Sequence, residues 1–193
     1  MSMWSRWQPE NHKVPSNHAE RALCIAGIRN KMVADLLASK VQPDVVIWMD
    51  LDVIRYDESL LVKLYESSRK HNAVTAPLVF LDKLTGRWYD TAGFINKGER
   101  STLHWPYYRQ ANDLGLLDGD PVPHYQVDGS VGCVYCVPFK VYQLGSKHLF
   151  CGEKYTEHYS VCQDARQLGM KLLVREDVAV HHAYLPDYGI SFH

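Results

Sequence analysis

Five apolar residues run unbroken from Val45 to Met49, and two carboxylates, Asp50 and Asp52, follow with one residue between them. A continuous run rich in β-branched residues predicts a strand buried on both faces. Residues two apart in a strand share a side, so Asp50 and Asp52 are expected to emerge together into one space. Upstream, Ala22, Leu23, Ala26, Val33, Leu36 and Leu37 recur at helical spacing and predict an amphipathic helix over 18–39. Asn17, with Glu20 three residues on, is its expected N-cap. Arg29 and Asn30 lie in its middle; on spacing alone Arg29 could equally be a solvated helix residue. Downstream, Asp57-Glu58-Ser59 opens a second helix to residue 71, with Leu60, Leu61, Leu64 and Tyr65 inward, and residues 73–80 form the next strand. The order helix, strand, helix, strand predicts an α/β fold with a mostly parallel sheet flanked by helices.

Residues 81–126 lose this periodicity. Glycines and prolines punctuate them, Tyr89–Phe94 reads as a short strand, and Trp105–Tyr108 as an aromatic loop. Such rings suit either a carbohydrate surface or ordinary local packing. A carboxylate and two glycines then precede an apolar strand in Val127-Asp128-Gly129-Ser130-Val131-Gly132-Cys133-Val134-Tyr135-Cys136-Val137. That order marks a place where backbone approaches a ligand closely. Pro138 ends the strand and Val141 sits in a short helix. Residues 155–169 predict another helix, with Thr156 as N-cap, Tyr159, Val161, Cys162, Ala165 and Leu168 inward, and Gly169 as C-cap. Lys171–Val174 and Val178–Val180 read as two short strands, the second ending at His181-His182. Residues 183–193 are an aromatic tail expected to fold back over the site. Residues 1–17 read as an irregular arm and 18–193 as a single domain.

Composition narrows the function classes. The 193 residues suffice for one core, and 46% hydrophobic with 22% charged residues is ordinary for a globular chain. A formal net charge of -1 gives no basic field to draw the chain to nucleic acid or to an anionic membrane. No apolar run is long enough to span a bilayer, and residues 1–15 lack the core of a signal peptide. A soluble, cytoplasmic chain is the expectation, with the Golgi lumen as the alternative if an anchor has been lost. Five scattered cysteines, an odd count, argue for reduced thiols rather than a disulfide framework. Cys133 and Cys136 resemble half a zinc site, but residues three apart in a strand face opposite ways.

Two carboxylates as close as Asp50 and Asp52 repel unless a cation sits between them or one is protonated. Hard divalent ions take such oxygen ligands and bridge to phosphates. The plainer reading is that the two aspartates begin a turn. The order of pieces weighs against it: Ile25-Ala26-Gly27-Ile28-Arg29-Asn30, the Val45–Asp52 run, Asp128-Gly129-Ser130-Val131-Gly132, Glu157 through Gly169, and Val178-Ala179-Val180-His181. Together they resemble a metal-dependent glycosyltransferase of the GT-A fold. The likeness is to the fungal mannan-polymerase type of α-mannosyltransferase and related chlorovirus and bacterial enzymes, over roughly residues 20–185.

That resemblance implies a Rossmann-like GT-A domain and transfer of a hexose from a nucleotide-diphosphate sugar, GDP-mannose or a UDP-sugar, to a glycan or glycoprotein acceptor, with retention. It implies Mn2+ or Mg2+ held by Asp50, Asp52 and His181, with His182 competing for the third place. Arg29, Asn30, Asp50, Leu51, Asp52, Gly129 and Gly132 would bind the nucleotide-sugar. Asp128, Glu157 and His158 would be catalytic, with Glu157 at the acceptor side and His158 where many such enzymes carry a second acid. One departure stands out: GT-A domains begin with a nucleotide-binding strand, and no strand is predicted before residue 18. Two other readings compete. One is a catalytically inactive, GT-A-like sugar-binding or partner subunit. The other is a phosphohydrolase or nucleotidyltransferase, which would want more acids near the metal.

Overall fold

In the computed structural model, residues 18–81, 95–96, 99–100, 114, 116–117, 119–151 and 157–183 are described. The N-terminal arm, the Asn17 and Thr156 caps, the Tyr89–Phe94 strand, the Trp105–Tyr108 loop and residues 184–193 of the tail lie outside them. The fold is mixed α/β, a central sheet flanked by helices. The sheet's main path comprises β1 (Val45–Met49), β2 (Val53–Tyr56), β3 (Val74–Leu81), β7 (Val134–Pro138) and β8 (Leu172–His182). Their order is β1-β7-β3-β8-β2, and β6 (His124–Val127) also pairs with β8. β4 (Ile95–Asn96) and β5 (Glu99–Arg100) form a separate two-stranded ribbon. The helices are α1 (His18–Ala38), α2 (Leu60–His71), α3 (Lys140–Gln143) and α4 (His158–Gln167). No described helix is long and apolar enough to cross a membrane.

The expected parallel character is confined to one direct pairing, β3 with β8. β7 runs antiparallel between β1 and β3, so β1, β3 and β8 point the same way without all touching. The local helix–strand alternation fixes that common direction, but β7, arriving after the long excursion, is free to insert between them. β1 therefore becomes an edge strand. The expectation of burial on both faces is corrected: only Trp48 of β1 is buried, and its neighbours are half-buried. β2 and β6 were not predicted. β2 reads Val-Ile-Arg-Tyr and exposes all but Val53, so it shows no buried face in sequence.

The two short strands expected before the tail are one. β8 pairs with β3 from Leu172 to Arg175, then resumes with Ala179 opposite Leu78. The intervening residues bulge, and Arg175 ties the bulge together through Asp177 at 2.6 and 3.0 Å. The charges of Arg175, Glu176 and Asp177 look like a break in sequence, whereas in the sheet they sit at an irregularity that keeps the strand intact.

Helix faces came out narrower than expected. In α1, Ala22, Ala26, Arg29 and Val33 are buried, while Leu23 and Leu37 face solvent. In α2, Leu60 and Leu64 are fully buried, but Leu61 and Tyr65 are exposed. α2 stops at Asn72, whose left-handed φ of 47° lets its backbone N–H reach the Ser68 carbonyl. In α4 the inward residues include Val161, Cys162 and Ala165, but Leu168 is exposed. Gly169, at φ 77°, follows the last turn as expected, with its N–H on the Arg166 carbonyl.

The α2 register is testable. Leu64→Ala should cost about 2–5 kcal/mol, from lost burial plus a cavity. Leu61→Ala, one residue from the buried Leu60 but exposed, should cost under about 1 kcal/mol. Urea denaturation midpoints of the two variants decide it, and equal losses would mean the helix face is misplaced.

Candidate functional site

The site begins with a charge buried on a helix. Arg29 occupies the same stripe of α1 as Ala22, Ala26 and Val33, and it is 7% exposed. The small alanines let α1 approach the sheet, and the guanidinium then enters the space behind β1. One nitrogen donates to the Tyr135 hydroxyl of β7 at 3.1 Å and to the Glu157 carboxylate beside α4. The other donates to Asp50 Oδ1 at 2.8 Å. The Trp48 and Tyr135 rings lie 5.4 and 5.7 Å from the guanidinium carbon. Of the two sequence readings of Arg29, the solvated one is excluded.

Asp50 and Asp52 do not continue the strand. The Val53 N–H bonds the Asp50 carbonyl at 3.2 Å, so Asp50-Leu51-Asp52-Val53 is a turn joining β1 to β2. Leu51 is fully exposed at its tip. The turn is pinned on both sides: the Asp50 N–H donates to the Cys133 carbonyl at 3.3 Å, and the Ala183 N–H donates to the Asp52 carbonyl at 2.7 Å. The second bond brings the end of β8 against the turn.

Of the two terminal histidines, His182 faces the aspartates. Its Nε2 lies 2.9 Å from Asp52 Oδ1, and its Nδ1 lies 2.8 Å from the Ala183 carbonyl. His181 takes the opposite side and lies near Phe80, with ring centroids 6.1 Å apart. The sequence expectation of His181 beside the aspartates is therefore corrected to its competitor. Asp50, His182 and Cys133 each place one ligand-type atom within 4.8 Å of the others. Cys133 was not singled out from sequence as belonging here. Its own backbone supplies the reason it turns inward: it has a left-handed φ of 60° just before β7.

The remaining predicted residues divide. Asn30 uses its side-chain amide on the backbone of His148, donating to the carbonyl and accepting from the N–H, both at 2.8 Å. It docks the segment after α3 and is not placed as a ligand contact. His148 in turn accepts from the Tyr142 hydroxyl at 3.1 Å, and Tyr142 accepts from Trp48 Nε1 at 2.7 Å. Burial pushes the His148 imidazole down to about 3, so it stays neutral. Asp128 is half-buried after β6. The Gly129 carbonyl accepts from Gln163 of α4, and the Gly132 carbonyl from the Val134 N–H at 2.7 Å. This segment runs from α4 to the turn, ending at Cys133.

Glu157 is 7% exposed, with His158 Nδ1 3.8 Å away as well as Arg29. Burial opposes its charge, but His158 and then Arg29 outweigh it and hold the carboxyl at about 2. A carboxylate this acidic is a poor base at neutral pH; Glu157 anchors Arg29. Burial likewise raises the Asp50 carboxyl, against the pull of Arg29. Burial lowers the His182 imidazole, but the hydrogen bonds to Asp52 and the Ala183 carbonyl, with the charges of Asp52 and Asp50, lift it above its ordinary value.

Three carboxylates, Asp50, Asp52 and Glu157, meet here around Arg29, with His158 beside Glu157 and His182 beside Asp52. Two acids and an imidazole fit a divalent cation by donor type.

No family model matches the chain, and no curated protein matches it. Among solved structures, the chain is similar to GalNAc-T7 crystallised with UDP, GalNAc and Mn2+, at 16% identity and a TM-score of 0.49. The likeness covers 87% of this chain and 33% of that one, so the chain spans about a third of that protein's length.

The buried Glu157 carboxyl, held down by His158 and then by Arg29, carries a pH signature. A carboxyl held below its ordinary 4.5 adds stability above that value, and the contribution disappears as pH falls toward about 2. Glu157→Gln should cost about 3 kcal/mol near pH 7. The gap to the parent protein should close between pH 4.5 and 2 in acid-dependent denaturant unfolding. A gap of constant size across that range would refute the assignment.

Proposed function

We propose that this chain is a metal-dependent glycosyltransferase that moves a hexose from a nucleoside-diphosphate sugar to a hydroxyl of a glycan or glycoprotein, with retention. The observation that carries the reading is the orientation of His182. Its Nδ1 faces the Ala183 carbonyl, which requires a hydrogen on that nitrogen. In the neutral ring the Nε2 lone pair then points at the Asp52 carboxylate. Lone pair against carboxylate is repulsive unless a proton or a metal ion lies between. Fixing one ring nitrogen by a backbone carbonyl is how proteins present the other to a metal.

Asp50, Asp52 and His182 would hold Mn2+ or Mg2+. Such an ion, when bound, neutralises the charge that develops on the departing diphosphate. The rest is work for the chain. Arg29 and Glu157 are positioning residues: they fix Asp50 from behind and leave Arg29 little freedom to grip a ligand itself. Asp128, Gly129 and Gly132, on the segment that ends at Cys133 beside the turn, would meet the donor sugar. His158, against Tyr135 with ring centroids 5.5 Å apart, borders the acceptor side through Glu157. Residues 18–193 would form one catalytic domain.

Incubation with a panel of nucleotide-sugars and Mn2+ should release nucleoside diphosphate from one of them. Metal binding without release from any donor, with or without acceptors, would instead favour an inactive sugar-binding subunit. Asp52→Ala, at a side chain 28% exposed, should keep the fold by circular dichroism and lose Mn2+-dependent nucleotide binding. Unchanged nucleotide and Mn2+ affinity in that variant would sink the site assignment.

A further inference from the structure

A sulfur lies beside the turn that carries Asp50 and Asp52. Cys133 stands just before β7, is 5% exposed, and accepts the Asp50 N–H on its carbonyl at 3.3 Å. One ligand-type atom of Cys133, one of Asp50 and one of His182 each lie within 4.8 Å of the other two. The backbone bond ties Cys133 to the acidic turn itself, so its sulfur is held in register with the carboxylates.

Two observations separate Cys133 from an ordinary buried thiol. Its backbone is left-handed, with φ 60°, a conformation that glycine adopts freely and a residue with a Cβ adopts at a cost. Strain of this kind collects at functional sites. The second observation is the contrast with Cys136, three residues on. Cys136 lies in β7 opposite Ile47 of β1 and Thr75 of β3, and burial pushes its thiol up to about 12. The Cys-x-x-Cys spacing therefore divides: one sulfur packs inside the sheet, and the other meets a carboxylate and an imidazole. Packing alone does not account for those neighbours.

We propose that Cys133 Sγ is a further ligand of the cation held at the Asp50–Asp52 turn, and that it biases the site toward Zn2+ and Co2+ over Mn2+ and Mg2+. This rests on the reading of that turn as a metal site. A thiolate is a soft ligand that Zn2+ and Co2+ accept, whereas Mg2+ takes oxygen. The thiol proton leaves to solvent as the metal–sulfur bond forms. The other ligands remain able to bind. Asp50 keeps lone pairs beyond the one that Arg29 takes at Oδ1, and His182, with Nδ1 on the Ala183 carbonyl, presents Nε2.

The test titrates the full chain with Co2+ alone. The bound ion should give a near-ultraviolet sulfur-to-cobalt charge-transfer band, lost in both Cys133→Ser and Cys133→Gly. The glycine variant suits the left-handed backbone, so it removes the sulfur while keeping the fold, as circular dichroism should confirm. Cys24→Ser and Cys151→Ser, at exposed thiols, should keep the band. By calorimetry, the ratio of Zn2+ to Mn2+ affinity should fall by about tenfold or more in both Cys133 variants, with Mn2+ still bound by the two aspartates and His182. Co2+ bound without the band, a band that survives both Cys133 variants, or an unchanged ratio would overturn the role of Cys133 and leave the metal site standing. Binding of no cation by the parent chain would overturn both.

Discussion

The guanidinium of Arg29 fixes four segments that are remote in sequence. A cation that is 7% exposed must be compensated, because an unpaired buried charge costs more than a domain can spare. Compensation comes from Glu157 at the start of α4, Asp50 at the end of β1 and the Tyr135 hydroxyl of β7. Burial keeps that hydroxyl from ionising, so Tyr135 contributes a dipole and no charge. Removing any one partner leaves the others facing a charge they were arranged to share. The planar fork also explains why Lys would be a poor substitute, since a point charge cannot address two carboxylates in separate directions.

This arrangement determines what Asp50 is able to do. Its Oδ1 is committed to Arg29, and 38% of its side chain remains exposed on the side of the turn. Asp52 is turned toward His182, and its backbone carbonyl is bound to Ala183. The carboxylates are therefore held from opposite sides, one by α1 and one by β8, and meet at an imidazole. The fold thus brings two carboxylates to one imidazole while giving each a partner of its own, Arg29 for Asp50 and His182 for Asp52.

The helices and several strands could be read from periodicity because their burial is local: α1, α2, α4 and β3 each have a face visible in a short window. The buried role of Arg29 was also within reach, since it falls on the stripe of Ala22, Ala26 and Val33. What failed depended on sheet order. β1 reads as a central strand by composition, yet it lies at an edge because β7 inserts between it and β3. β2 carries almost no burial signal, its existence depending on β8 beside it. Cys133 joins the site through its left-handed backbone, which its residue type does not advertise.

The choice between His181 and His182 shows most clearly where a sequence stops being informative. Before the bulge, Thr75 pairs with Leu173; after it, Leu81 pairs with His182. The offset grows from 98 to 101, an odd increment, and paired residues in a sheet share a face. An odd increment exchanges the two faces of β8 relative to β3, so odd-numbered residues that would have lain beside Leu81 give way to even-numbered ones. Without the bulge, Ala179 would stand opposite Leu81, and His181 rather than His182 would lie on that face. The bulge itself is secured by Arg175, which grips Asp177 and reaches Lys63 and Ser67 of α2. A buried arginine in the middle of β8 thereby decides which imidazole meets the aspartates at its end. The same Arg175 also donates to Ser67 Oγ, which contacts His124 Nε2, so a single side chain ties α2 and β6 to the bulge.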